Sequence, residues 1–318
     1  MSDTPRAHVA LSLGDAERAA CVETLARHGL EPIVLGTAEE LTHILPDCEY
    51  LLLGRPPRID WSSGARLRLL QIAGAGVDPL FPVVGLRAAA VIANCRGLHA
   101  DGVRDHVLAL LLAFARELPR ALAQQARREW QTFACPPLTG KKLLLLGHGA
   151  IGSRVAAAAR AFGMRVAAVT RSRQPLPGLS AVFGTGELAL AVRDADYFVI
   201  SAPLTSYTRG LVDARVLDAL PPHAVVINVS RGALLDQRAL EAALRAGRLG
   251  GAALDVFDPE PVPPTNPLWH CPRLLLTPHV AGHEPAYLTK VFEAFAANVV
   301  SVRRGEAPEA IVSRELEY

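Results

Sequence analysis

A chain of 318 residues, half of them hydrophobic and 20% charged, holds enough apolar material for two packed domains and excludes a disordered or fibrous protein. The formal net charge of +2, with no lysine-rich tail, argues against a nucleic-acid partner. Five dispersed cysteines (Cys21, Cys48, Cys95, Cys135 and Cys271) show no metal-ligand spacing and suit a reducing, cytoplasmic setting.

In chain order, HVALSL (8–13) reads as a strand and 16–28 as a helix stopped by Gly29. The runs EPIVLG, EYLLLG, LRLLQIAG (67–74) and AAVIANC (89–95) follow as strands. Continuous apolar runs, without in–out alternation, fit parallel strands covered on both faces, so this part reads as a small doubly wound α/β domain. A helix over 101–117 comes next, limited by Pro119. Its core, 107–115, is about half the ~20 residues that cross a membrane, which makes it a buried helix. The apolar stretch at the N-terminus lacks the length and cleavage site of a secretory leader. Pro136, Pro137 and Gly140 break the chain before six more strands: LLLLG, RVAAVT (165–170), DYFVISA (196–202), VVINVS (225–230), GAALDV (251–256) and LLLTP (274–278). A helix at 151–162 follows the first of them, and Asp236 caps another that Gly247 stops. This series predicts a Rossmann-type sheet. The segment from about 284 reads as helical and apolar through Val299, as expected of a tail packed back on one domain.

The loop Gly147-His148-Gly149-Ala150-Ile151-Gly152 fits G-x-G-x-x-G between a strand and an alanine-rich helix. Gly147 serves the tight turn, Gly149 the close approach of a pyrophosphate, and Gly152 the packing of helix on sheet. Where an acid at the end of the next strand favours NAD, this chain carries Thr170-Arg171-Ser172. Arg171 suits a 2′-phosphate that an acid would repel, so the expected cofactor is NADP(H), with NAD(H) as the alternative. A solvated arginine pair is the plainer explanation of the same residues.

Four further segments carry a resemblance: ALLLAFARE after Asp105-His106, SAPLTSYTRGLVD, INVSRGALLDQRAL, and GAALDVFDPEPVPPTNPLWHCPRLLLTPHVAG. Together they make nearly the whole chain similar to the D-isomer-specific 2-hydroxyacid dehydrogenase family, which includes glyoxylate/hydroxypyruvate reductases. The resemblance implies a Rossmann nucleotide-binding domain (99–284) inserted into a split flavodoxin-like substrate domain (1–98 and 285–318), with the active site in the cleft between them. It implies a homodimer formed through the nucleotide-binding domains, to which 107–115 contributes unless it is an intradomain helix. The catalytic set it implies is Arg231 for the substrate carboxylate and carbonyl, His279 as proton donor and acceptor, and Glu260 as the acid paired with His279. It places Ala75, Gly76 and Val77 against the substrate carboxylate together with Arg231 and His279. Around the cofactor, besides the glycine loop with Ala150 and Ile151, it places Val103, Ala202, Pro203, Thr208, Val229, Ser230, Arg231, Asp255, His279 and Gly282.

The physical roles agree with those residue types. A 2-keto acid needs a cation for its carboxylate, and reduction leaves charge on the carbonyl oxygen, where a proton donor must stand. The sequence therefore predicts an oxidoreductase transferring a hydride between NADP(H) and a small 2-keto or D-2-hydroxy acid such as glyoxylate or hydroxypyruvate, without a metal. Two alternatives remain: an NAD-dependent enzyme similar to phosphoglycerate dehydrogenases, and a nucleotide-sensing, corepressor-like interaction protein on the same fold. Ser201-Ala202-Pro203, in place of the family's usual His-Leu-Pro, alters the adenine side of the pocket. Asp105 stands where Glu is usual, and Arg96 and His99 lie beside the expected substrate loop.

Overall fold

A computed structural model describes residues 4–36, 38–57 and 59–318 and divides the chain into two compact units, Met1–His99 with Glu284–Tyr318, and Ala100–His283. The first unit contains β1 (Arg6–Ala10), α1 (Asp15–Arg27), β2 (Glu31–Val34), α2 (Ala38–Ile44), β3 (Tyr50–Leu53), β4 (Leu69–Ile72) and β5 (Val91–Ala93). All neighbours pair in parallel in the order β2-β1-β3-β4-β5, the flavodoxin-like arrangement. β1 lies two residues earlier than HVALSL suggests, because Arg6 already pairs with Glu31 and the strand ends at Ala10.

Each apolar run feeds two cores. On β3, Tyr50 and Leu52 face one cluster, and Leu51 and Leu53 face the other. This is the period-2 split of a strand covered on both sides. The tail expected to pack back on a domain does so within this unit. The last helix buries Val291, Phe292, Phe295, Ala296 and Val299 in the core that also holds Cys21 and Leu25 of α1. Each large side chain so buried contributes roughly 1.5–3 kcal/mol. Beyond that helix the chain returns to β5, where Ala93 bridges Ile311 in antiparallel sense, and Arg314 donates to the carbonyls of Leu86, Arg87 and Ala90.

The second unit contains α3 (Ala100–Ala115), α4 (Leu118–Arg127), β6 (Lys142–Leu146), α5 (Ala150–Ala161), β7 (Arg165–Thr170), β8 (Ala181–Gly184), α6 (Leu188–Ala191), β9 (Tyr197–Ile200), α7 (Ala214–Asp218), β10 (Val225–Asn228), α8 (Gln237–Arg245), β11 (Gly251–Leu254) and β12 (Leu274–Leu276). The strand order is β12-β11-β10-β9-β6-β7-β8, the Rossmann order with one further strand. The sheet has seven strands where the sequence suggested six. The extra one, β8, is four half-buried residues on the edge beside β7, preceded by Pro175, Pro177 and Gly178, so its sequence carries turn signals and no long apolar run. Asp236 caps α8 through its carboxylate, which accepts from the N–H groups of Arg238 and Ala239. Val107, Leu110, Leu111 and Ala115 of α3 are buried in the same core as Leu143 and Leu145 of β6. α3 ends where Glu117 turns left-handed and Pro119 opens α4. The last helix of the chain, α9 (Tyr287–Arg303), belongs to the first unit.

Among the described residues, all five cysteines are free thiols. Burial pushes Cys21 and Cys95 up to about 11 and Cys48 up to about 12, so these three stay protonated at neutral pH. No group of His, Cys, Asp and Glu among the described residues is arranged to hold a metal ion, and no described helix is long and apolar enough to cross a membrane.

Candidate active site

The glycine loop leaves β6 where the strand order reverses, since β6 pairs with β7 on one side and β9 on the other. Ligands of open α/β sheets bind outside the carboxyl ends of the strands at such a switch point. Gly147 has φ +96°, and a Cβ there would stand 2.8 Å from the Ala202 nitrogen, so only glycine lets the loop pass the end of β9. A Cβ on Gly152 would lie 2.3 Å from the Gly147 carbonyl oxygen, which keeps the first turn of α5 tight against the loop. A Cβ on Gly149 would meet nothing within 4 Å. That open approach, at the N-cap of α5 with its unpaired N–H groups, is what a pyrophosphate needs. Ala150 and Ile151 form the first turn of α5. Ser201, absent from the sequence-level set, braces the loop by donating to the Gly147 carbonyl at 3.1 Å.

Thr170 ends β7, and the Arg173 N–H donates to its hydroxyl at 3.2 Å. The hydroxyl proton of Thr170 is still available to a ligand. Arg171 and Ser172 are exposed, while Arg173 donates to Glu187 at 2.9 Å. The nearby acid is thereby held by Arg173, and the turn keeps a positive balance suited to a 2′-phosphate. Replacing Arg171 with Ala is expected to weaken NADPH binding roughly tenfold or more while changing NADH binding little, because a charge-assisted bond is at stake only with the former. Fluorescence titration with both nucleotides checks this, and equal losses for the two would place the 2′-phosphate elsewhere.

Three adjacent strands carry the other predicted residues past their carboxyl ends: Arg231 after β10, Glu260 after β11 and His279 after β12. His279 Nδ1 lies 2.8 Å from Glu260 Oε2. An ionised carboxylate only accepts, so Nδ1 carries the proton and Nε2 is the ring atom left for proton exchange. Both side chains are more than a third exposed, so the pair adds little to stability and its value lies in fixing tautomer and ring orientation. The other Glu260 oxygen accepts from the Phe257 N–H at 2.7 Å, which anchors the carboxylate.

His279 adopts φ +54°, a left-handed conformation that costs a non-glycine residue about 1 kcal/mol or more. Asp255 holds it there. The Asp255 carbonyl accepts from the His279 N–H at 2.8 Å. Its buried carboxylate accepts from the Thr277 hydroxyl (2.6 Å) and from the N–H groups of Val280 (2.9 Å) and Ala281 (3.0 Å). His106 of α3 reaches the same Thr277 hydroxyl at 3.1 Å. Asp255, expected beside the nicotinamide, thus has a structural duty in clamping the histidine loop. Arg231 is set by Asn228, whose side-chain amide donates to the Arg231 carbonyl at 2.9 Å and whose oxygen accepts from the Ser230 N–H. The Arg231 guanidinium donates to the Ser230 carbonyl at 2.7 Å. Gly232 lets this turn meet the segment leading to Glu260: a Cβ there would stand 2.0 Å from the Phe257 carbonyl carbon. Asn228, Gly232, Thr277 and His106 all brace these residues, and the sequence assigned a role to none of them, although His106 stands in a segment that carries the resemblance. The only other signal was that Asn228 and Gly232 flank Arg231 inside INVSRGALLDQRAL.

The remaining predicted cofactor positions differ in what they offer. Val103, Ala202 and Val229 are all buried in the core, Val103 and Val229 in one cluster and Ala202 in the other. Pro203 is exposed, and Gly282 is half-buried. Thr208 spends its hydroxyl within its own loop, donating to the Pro203 carbonyl at 2.7 Å and accepting from the Thr205 N–H. The Ser230 hydroxyl donates to the Ala202 carbonyl, tying the ends of β9 and β10.

In the first unit, the 74–77 loop follows β4. Its carbonyls are turned away: that of Ala73 accepts from the Tyr287 hydroxyl (2.6 Å), that of Gly74 from the Cys95 N–H (3.0 Å), and that of Ala75 from the Asn94 side-chain amide (2.8 Å). Among the described residues, the N–H groups of Gly74, Ala75, Gly76 and Val77 donate to nothing in the chain. Consecutive unspent N–H groups are the kind of backbone element that can receive an anion.

In sequence and fold the chain is similar to a known group of proteins. The family model described as D-isomer specific 2-hydroxyacid dehydrogenase, NAD binding domain, matches residues 108–281, more than half of the chain. The chain belongs to the D-isomer-specific 2-hydroxyacid dehydrogenase family. Among its relatives in this family, a glyoxylate reductase of Aeropyrum pernix is 33% identical over 282 residues, 85% of this chain and 84% of that one. A solved dehydrogenase of the family from Xanthobacter autotrophicus, in complex with NADPH and MES, superposes with a TM-score of 0.86 at 27% identity, covering 98% of this chain and 99% of that one. An NADPH-dependent glyoxylate/hydroxypyruvate reductase of Sinorhizobium meliloti, in complex with NADP and malonate, gives a TM-score of 0.79 at 28% identity, covering 98% of each chain.

Proposed function

We propose that this member of the family is an NADP(H)-preferring reductase of small 2-oxo acids, glyoxylate and hydroxypyruvate foremost. The observation that carries the reading is the His279–Glu260 pair at 2.8 Å, on the strand end next but one to that of Arg231. The cofactor residues fit NADP(H): an open N–H cradle at Gly149 and an exposed Arg171 beyond β7 in place of an acid. When bound, the nicotinamide supplies a hydride to the carbonyl carbon of the substrate. Arg231 holds the substrate carboxylate and offsets the charge that gathers on the carbonyl oxygen. His279 gives that oxygen a proton from Nε2, and Glu260 stabilises the charged imidazolium before transfer. In the reverse direction His279 takes the proton back. The N–H groups of Ala75, Gly76 and Val77 receive the substrate carboxylate. Relatives named as reducing glyoxylate and hydroxypyruvate with NADPH support the choice of substrate and cofactor.

The test is NADPH and NADH oxidation by the purified protein against glyoxylate, hydroxypyruvate, phenylpyruvate and 2-ketoisocaproate. Turnover of the two small acids with NADPH is expected, and no turnover with any 2-oxo acid would sink the reading in favour of a nucleotide sensor.

A cytoplasmic homodimer completes the proposal. Leu118 and Leu122, one turn apart on α4, are 48% and 63% exposed, and Trp130 just beyond it is 94% exposed, apolar side chains that a partner subunit would cover. Trp130→Glu is expected to move the mass measured by light scattering from two subunits towards one. A wild-type protein that already runs as one subunit would refute the dimer.

A further inference from the structure

Tyr287 opens α9 with its ring half-buried and its hydroxyl 2.6 Å from the Ala73 carbonyl oxygen, at the base of the 74–77 loop. His99 packs its edge against the Tyr287 ring, with centroids 5.7 Å apart at 78°. Burial pushes the phenol well above its ordinary range, so at working pH this oxygen keeps its proton and donates. Two residues further along the loop, the side-chain amide of Asn94 does the same for the Ala75 carbonyl, while the Asn94 oxygen accepts from the Arg96 N–H. A peptide plane carries its C=O and N–H on opposite sides. Holding the Ala73 carbonyl therefore fixes where the Gly74 N–H points, and holding the Ala75 carbonyl fixes the Gly76 N–H. Glycines at 74 and 76 leave the loop little stiffness of its own, so its direction must come from such braces.

We propose that Tyr287, assisted by Asn94, is a positioning residue that holds the 74–77 loop with its N–H groups turned to the carboxylate of the substrate. The inference rests on the reading of this loop as a carboxylate subsite and adds the residues that set its affinity. Tyr287 touches neither substrate nor cofactor in this role; it acts through the backbone of Ala73 and Gly74. A purely architectural Tyr287, tying α9 to the end of β4, is the competing explanation. It predicts a loss of thermal stability with unchanged kinetics.

Tyr287→Phe keeps the ring and its contact with His99 and removes only the hydroxyl. With NADPH held saturating, the KM for glyoxylate is expected to rise roughly 3–10-fold, the effect of one lost hydrogen bond, with kcat within about twofold. NADPH affinity by fluorescence titration should stay at the wild-type value, and Tyr287→Phe combined with Asn94→Ala should raise the KM further. The same variants assayed with the methyl ester of glyoxylate, which keeps the carbonyl and lacks the negative charge, should differ little from wild type. An unchanged KM for glyoxylate, or an equal rise for acid and ester, would overturn the positioning role. If wild-type protein uses the ester as well as the acid, the loop is no carboxylate subsite, and the underlying reading fails along with this one. Melting temperatures measured alongside separate a kinetic effect from partial unfolding.

Discussion

His279→Ala is expected to lower kcat for glyoxylate reduction by about 10²–10⁴-fold, the range that general acid–base groups contribute, while leaving NADPH affinity near the wild-type value. On the proposed reading the proton reaches the carbonyl oxygen as charge develops there, from the Nε2 of His279 that the Glu260 contact orients. On the same reading the phosphates of the cofactor are held by other groups, at the ends of β6 and β7, so cofactor affinity and chemistry should separate. Glu260→Gln probes the same pair more gently. The neutral amide removes the stabilisation of the imidazolium but can still accept from Nδ1, so a smaller loss of kcat is expected than for His279→Ala. Two measurements decide the matter: kcat across the pH range and nucleotide titration. Wild-type kcat in His279→Ala, or a loss explained wholly by weaker NADPH binding, would remove His279 from the chemistry.

The site owes its clarity in the sequence to chemistry that needs particular side chains, and its gaps to chemistry done by the backbone. Arg231, Glu260 and His279 stand out as candidates because guanidinium, carboxylate and imidazole have few substitutes in the roles proposed for them, and because each follows an apolar run that reads as a strand. The glycine loop is legible for the opposite reason: at Gly147 a Cβ would collide with Ala202, so the residue type records the geometry directly. The left-handed turn at His279 and the four N–H bonds to Asp255 and Thr277 that hold the 279–281 turn leave no such mark, because a histidine or an aspartate is written the same way in any conformation. The brace from Tyr287 to Ala73 spans 214 positions, and nothing local in either segment announces it. The fold follows the same division. Strands buried on both faces, such as β3 and β10, stand out as apolar runs, whereas the half-buried edge strand β8 does not.

Arg231→Gln should damage the enzyme in a different way from His279→Ala, by raising the KM for the 2-oxo acid as well as lowering kcat. Glutamine can occupy similar volume and donate a hydrogen bond, but it carries no charge and cannot present the planar fork that matches a carboxylate. Loss of one donor to a developing oxyanion costs roughly 10²–10³-fold in rate, and loss of a charged anchor for the ground-state carboxylate adds to KM. Arg231→Lys discriminates between charge and shape. Lysine restores the charge as a point and not as a fork, so it should recover part of the KM and little of kcat, because the rate depends on a donor fixed towards the carbonyl oxygen. The turn should survive either substitution, since Asn228 grips the backbone carbonyl of residue 231 and Gly232 provides the close passage past Phe257. Equal fold-losses in kcat/KM for glyoxylate and for its uncharged methyl ester would show that Arg231 serves the carbonyl alone. A larger loss with the acid is the expected result, and the ratio of the two losses measures how much of the guanidinium's contribution goes to the carboxylate.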